Sequence, residues 1–202
     1  MALAISSERF NASAHQQISF FDDETRTQFI VIGVGVIKST SATARAAGAA
    51  VAKCCQQYQI SDAAVLMDDA ISTDESVINH FILGAADASD AFNPPYAMHG
   101  RKKASKSDAL SLSLYLEKSP TASQKTIFNQ ATGIAKGVAL AKHLGNLPPN
   151  FATPTYLGKV AQDLAKDYTF KVQVLEKKQI AALKMNSFLS VAKGSTEAPR
   201  FI

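Results

Sequence analysis

Between Thr121 and Leu144 apolar residues recur at Ile127, Ala131, Ile134, Val138 and Ala141 or Leu144. At 3.6 residues per turn these positions fall on one stripe, which predicts a helix of about 36 Å with one buried face. Thr121 stands three residues before Gln124, the spacing of a capping box, and this predicts the helix start. Gly145 is placed to take the positive φ of a C-terminus, and Pro148 with Pro149 forbids further helix by removing donors and restricting the preceding residue. After the break Thr153 precedes Pro154 at a first-turn position, and a second helical pattern follows through Tyr156, Val160 and Leu164.

Upstream the rhythm alternates between strand and helix. Phe29 to Val34 is a continuous apolar, β-branched run, as expected of a strand covered on both faces in a parallel sheet. Ser39 to Ser41 offer caps for a helix whose apolar positions are Ala44, Ala47, Val51, Cys54 and Tyr58. Ala63 to Met67 then completes a β-α-β unit with an expected right-handed crossover. Thr73 is placed to cap the next helix, striped by Val77, Phe81, Ala85, Ala88 and Phe92 and ended by Pro94 and Pro95. A polar loop follows. Leu110, Leu112 and Leu114 alternate with Ser111, Ser113 and Tyr115, the period-two pattern of a strand with one wet face near a sheet edge. Beyond the long helix the pattern predicts a strand at Phe170, Val172 and Val174 and a short helix at Ile180 and Leu183. It then predicts extended pieces at Phe188–Val191 and Phe201–Ile202, the last reading as the first residues of a longer strand. An exposed apolar edge is expected around Phe188 to Val191 and Ile202.

The resulting architecture is α/β. Residues 1–120 form an N-terminal domain with a largely parallel sheet, residues 121–146 a linker helix, and residues 147–202 the beginning of a second α/β domain, incomplete in this sequence. A chain of 202 residues with 47% hydrophobic content is ample for a buried core. The formal charge of +4, from 21 basic and 17 acidic residues, is too modest to indicate a dedicated nucleic-acid binder. Cys54 and Cys55 are adjacent within a helical pattern, where their side chains diverge by about 100°, and they read as reduced core thiols. No run approaches the roughly 20 apolar residues that span a bilayer, and the opening residues lack a signal-peptide pattern. The expected compartment is the cytoplasm.

Candidate chemistry is sparse. Gly33-Val34-Gly35 between a strand and a helix suggests a phosphate-binding turn, but position 38 is Lys38 where a third glycine would stand, so a structural turn is preferred. Asp68 and Asp69 follow a strand, yet neighbouring carboxylates on an extended chain point to opposite sides and no His or Cys stands at ligand spacing, so a turn role is preferred. His15, His80, His99 and His143 show no metal-binding spacing. His80 is expected on a helix flank and His143 in the last helical turn, where its charged form complements the helix dipole. The basic group Arg101, Lys102, Lys103 and Lys106 reads as a solvated loop, since no aromatic platform is interleaved with it. No catalytic, metal-binding or cofactor-binding residue is assigned.

The segment from Gly137 to Ile202, carrying HLGNLPPNFATPTYL and NSFLSVAKGSTEAPRFI, resembles the leucine aminopeptidase (M17, cytosol aminopeptidase) family at the junction of its N-terminal and catalytic domains. Before Gly137 the likeness is confined to IVIGVG, the following helix and DESVINHFILGAADASDAF. The resemblance implies a macro-like N-terminal domain and, for the complete protein, a two-metal (Mn or Zn) peptide hydrolase that removes N-terminal residues and assembles as a hexamer. It also implies that the metal ligands and catalytic residues come from motifs after residue 202, so this chain alone is expected to be inactive and structural. Val191-Ala192-Lys193-Gly194 reads like the family's metal-lysine motif, but its neighbours SFLS and STEAP align it with an earlier segment, so Lys193 is not assigned as a ligand. The alternative is a short non-catalytic relative that binds a full-length partner or nucleic acid.

Overall fold

The computed structural model describes residues 10–13, 16–33, 40–67, 74–90 and 110–202, and divides into two compact units, Met1–Lys142 and His143–Ile202. Both mix helices with small two-stranded sheets.

The first unit opens with a hairpin that the hydrophobic pattern did not predict. β1 (Gln17–Asp22) pairs antiparallel with β2 (Thr27–Ile32), with Phe20 opposite Phe29 and their rings stacked 5.2 Å apart. The connecting turn holds Arg26 at φ 53, and Asp22 accepts the Glu24 amide and the Thr25 hydroxyl. Those bonds, the hydroxyl's first, hold the Asp22 carboxyl below its usual range. β2 is therefore not the two-sided parallel strand expected from its apolar run: residues 29–32 are only half-buried, and among the described residues it pairs with β1 alone. A local turn supplies an antiparallel partner at less closure entropy than a distant strand. Among the described residues β2 and the Ala63–Met67 strand do not pair, so the expected β-α-β unit is not seen between them, and a parallel pair forms one step later instead. β3 (Asp62–Met67) pairs parallel with β4 (Ser111–Leu116), in register from Asp62↔Ser111 to Met67↔Leu116, with a helix between them in sequence. β4 alternates exposed and half-buried residues as its serine-leucine pattern requires.

α1 (Thr40–Gln57) and α2 (Glu75–Ser89) form the main helix pair. The Ser41 and Ser76 hydroxyls meet at 3.0 Å near their starts, and Gln56 Nε2 donates to the Ala88 carbonyl at 3.1 Å near their ends, so the helices run side by side in one direction. Their backbones approach through glycines. A Cβ on Gly48 would lie 2.0 Å from the Phe81 carbonyl oxygen, and one on Gly84 would lie 2.0 Å from that of Arg45. The buried positions of α1 are Ala44, Gly48, Ala50, Ala52, Cys54 and Cys55, so only Ala44 and Cys54 of the expected stripe are buried. Ala47 and Val51 are half-buried, and Tyr58 lies exposed past the helix end. α1 closes with Gln59 at φ 56, the Ile60 amide donating to the Cys55 carbonyl and the Gln59 amide to that of Gln56, a Schellman arrangement. The N-cap of α2 is Asp74, whose side chain accepts the Ser76 amide; Thr73, the expected cap, lies outside the described residues.

α3 (Ala122–Asn146) starts where the capping box places it: Thr121 N donates to Gln124 Oε1 at 2.9 Å and Gln124 N to Thr121 Oγ1 at 3.1 Å. Two expectations about it fail. Gly145 lies within the helix without a positive φ, so the stop falls to the prolines that follow. The predicted buried stripe is largely open as well: Ala131 is fully buried, but Ile134 is 50% and Val138 44% exposed.

In the second unit Pro148 ends the corner's freedom, its carbonyl accepting from both Phe151 and Ala152 amides. α4 (Pro154–Asp167) begins at the expected cap, Thr153, whose hydroxyl accepts the Tyr156 amide at 3.2 Å. Residues 170–174, expected as a strand, form no regular element, and β5 is only Leu175–Glu176. α5 (Lys177–Ala182) follows, then α6 (Asn186–Val191), a helix where extended chain was expected. A 3₁₀ turn at Ala192–Gly194 leads to β6 (Arg200–Phe201), antiparallel to β5. The apolar residues Phe188, Leu189 and Val191 do not distinguish a short strand from a short helix, because so short an apolar run fits either.

Candidate functional site

Among the described residues no three His, Cys, Asp or Glu side chains come together as metal donors would. The residues weighed as chemistry from the sequence are scattered. Gly35, Asp68, Asp69, His15, His99 and the basic group Arg101–Lys106 lie outside the described residues. His80 sits on the flank of α2, its Nδ1 2.8 Å from the Ser76 carbonyl oxygen and 3.3 Å from the Ser76 hydroxyl, a helix-internal arrangement. His143 is in the last turn of α3, as expected. Cys54 and Cys55 are free and buried, and burial pushes both thiols up, Cys55 further raised by Cys54. A raised thiol holds less thiolate at neutral pH, so both are poor nucleophiles. Lys193 is exposed on the 3₁₀ turn.

Charge converges at one place in the first unit. Asp87 on α2 accepts from Lys142 on α3 and meets Arg45 on α1 at 3.3 Å, while Lys142 also lies 3.6 Å from Asp90. The Lys142 hydrogen bond holds the Asp87 carboxyl below its usual range and correspondingly raises Lys142. The attraction is thus complete at neutral pH and is lost as acidification passes the lowered carboxyl value. Because all partners are solvent-exposed, salt screens it. It fastens α3 to the helix pair.

A cavity of about 660 Å³ lies where β4 ends and α3 begins. Ile78, Leu114, Leu116 and Phe128 give it apolar walls, with Lys125 and Asn129 at the polar side. Ends of parallel strands are where open α/β sheets leave room, a signal legible in the SLSLYL strand.

The second unit is described in full, and its prominent feature is an apolar surface. Of its 60 residues only Leu147, Gly158, Ile180 and Pro199 are buried. Phe188 and Phe201 meet edge to face with ring centroids 5.7 Å apart, and Val191, one turn beyond Phe188, is 88% exposed. Phe201 and Ile202 extend the same surface. This is where the LPPN and SFLSVAKGS segments fall.

Residues 139–202 match the sequence model of the cytosol aminopeptidase family's catalytic domain, Peptidase_M17. The "Probable cytosol aminopeptidase" of Herminiimonas arsenicoxydans is 41% identical over 121 residues, covering 60% of this chain and 24% of the relative. That of Paraburkholderia phymatum is 56% identical over 78 residues, covering 39% of this chain and 16% of the relative. Among solved structures, a mutant of tomato leucine aminopeptidase superposes with a TM-score of 0.72 at 25% identity, covering 98% of this chain and 39% of that one. The bottromycin maturation enzyme BotP superposes with a TM-score of 0.68 at 20% identity over 95% of this chain and 40% of its own, a likeness of fold. The matches to the curated relatives therefore span about a quarter of their length or less. The resemblance carried by the two motifs is confirmed by sequence and by fold. Among the described residues, no helix is long and apolar enough to cross a membrane.

Proposed function

We propose, proceeding from residues 139–202 as part of a cytosol aminopeptidase-family catalytic domain, that this chain is the N-terminal portion of a leucyl-aminopeptidase-like enzyme. The complete enzyme would be cytoplasmic and release N-terminal residues from peptides. In this reading residues 1–120 form a macro-like domain, 121–146 a linker helix and 147–202 the beginning of the catalytic domain. The observation that carries the reading is the family match over 139–202, supported by 41% identity over 121 residues to a relative of that name.

Two divalent ions would supply a metal-activated water for peptide hydrolysis, and BotP has been solved in complex with Mn. The described residues do not fit such ions, since they gather no set of carboxylate or imidazole donors. No step of the reaction is therefore assigned to this chain. Its role would be structural: the corner at Pro148 and the cap at Thr153 fix the entry of the catalytic domain, and the N-terminal unit contributes to a homo-oligomer, a hexamer by family likeness.

The 202-residue chain is expected to be inactive. With leucine p-nitroanilide and manganese its turnover should equal that of a metal-free blank. Turnover clearly above the blank, and abolished by chelator, would show that the chain holds its own catalytic groups and overturn this reading.

A further inference from the structure

The cavity at the end of β4 is lined by groups that together define a ligand. Ile78, Leu114, Leu116 and Phe128 give it apolar walls, and its volume of about 660 Å³ lies in the range of small-molecule sites. Its two sides are fixed before anything enters. β4 keeps register with β3 from Asp62↔Ser111 to Met67↔Leu116, and the reciprocal Thr121–Gln124 hydrogen bonds pin the first turn of α3. Charges of both signs line the same space, Glu117 at the end of the strand and Lys125 on the helix. Among the described residues neither of these two side chains has an ion-pair or hydrogen-bond partner, so they do not neutralise each other. An apolar space bounded by one unpaired anion and one unpaired cation is complementary to a molecule that carries both charges on an apolar body.

We propose that this cavity binds a small apolar zwitterion, an α-amino acid with an apolar side chain or a short peptide of such residues. The apolar side chain lies against Leu114, Leu116 and Phe128, the carboxylate meets Lys125 and the ammonium meets Glu117. Ligands with one charge are discriminated against: a simple carboxylate is repelled by Glu117, and an amine without a carboxylate is repelled by Lys125. The site and its ligand class stand on the lining alone. Resting on the reading above is one further point, that such a ligand is what the complete enzyme would release, which makes the cavity a sensor of product.

The 202-residue chain is titrated calorimetrically with leucine and, separately, with the dipeptide Leu-Leu. Saturable binding of either is the expected result, and their ratio tells the free amino acid from the peptide. Leucinamide, which lacks the carboxylate, and 4-methylpentanoate, which lacks the ammonium, should each bind about tenfold more weakly or worse. Glu117→Gln and Lys125→Gln, both at exposed positions, should each weaken leucine by a similar factor, while Lys53→Gln, exposed on α1, should leave it unchanged. No saturable binding of either zwitterion up to about 10 mM overturns the proposal. So does binding of 4-methylpentanoate or leucinamide as tight as that of leucine, or binding indifferent to both cavity variants. Peptidase turnover by the chain is read separately. Cavity-dependent leucine binding together with metal-dependent turnover by this chain keeps the site and overturns the reading above, whereas neither binding nor turnover does the reverse.

Discussion

Replacing Gly48 or Gly84 with alanine is expected to destabilise the first unit by about 3 kcal/mol or more, lowering its melting temperature by roughly 10 °C. At each site the new Cβ would meet backbone carbonyl oxygen at 2.0 Å, with further backbone atoms of the facing helix at 2.8 and 2.9 Å. No flexible side chain can move aside, so α1 and α2 must separate along their shared face. Their separation would loosen the packing around Ala52, Cys55, Phe81 and Ala85, all buried at this pair. The contrast is Gly133→Ala and Gly137→Ala on α3, where nothing lies within 4 Å. There alanine removes only backbone entropy and should stabilise by about 0.5–1 kcal/mol each. Thermal denaturation followed by circular dichroism checks both signs. Equal tolerance at all four glycines would contradict the close helix approach.

The second large effect is expected in the other unit. Ile180→Ala should cost about 2–5 kcal/mol and abolish the cooperative transition of residues 143–202 while leaving that of the first unit in place. Ile180 is the one large side chain that is fully buried in the described residues, and the unit has almost no other core to absorb its loss. It also anchors the end of α5, where the Met185 amide donates to the Ile180 carbonyl and Lys184 sits at φ 57. Calorimetry with intact and substituted chains would show one transition lost. A drop below about 1 kcal/mol would mean that the unit's stability comes from somewhere else.

Local chemistry was legible in the sequence where a side chain acts on its own backbone. The Thr121–Gln124 box, the Thr153-Pro154 start and the SLSLYL alternation all stand as their spacing requires. What was not legible depends on partners far away in sequence. The buried face of α1 turns on Gly48, which scores as no hydrophobe yet lies where α2 comes closest. The stripe of α3 has correct helical spacing, but periodicity reports which residues can face a neighbour, not whether one is there. The hairpin was missed because Phe20 and Phe21 are adjacent and break the alternation of QISFFD. Around the candidate site the motifs located the right segments and mistook their geometry: SFLSV is helical, and only Arg200–Phe201 of the final run is a strand. Six-residue pieces with so little burial take their conformation from what they pack against, which the sequence alone does not contain.

Hydrogen exchange resolved along the unmodified 202-residue chain tests the central claim most directly, because it reports protection for each segment of both units in one experiment. Slow exchange through the α1–α2 pair, together with fast exchange across 186–202, is the predicted outcome. Strong protection of 186–202 in a monomeric chain, equal to that of the helix pair, would contradict it.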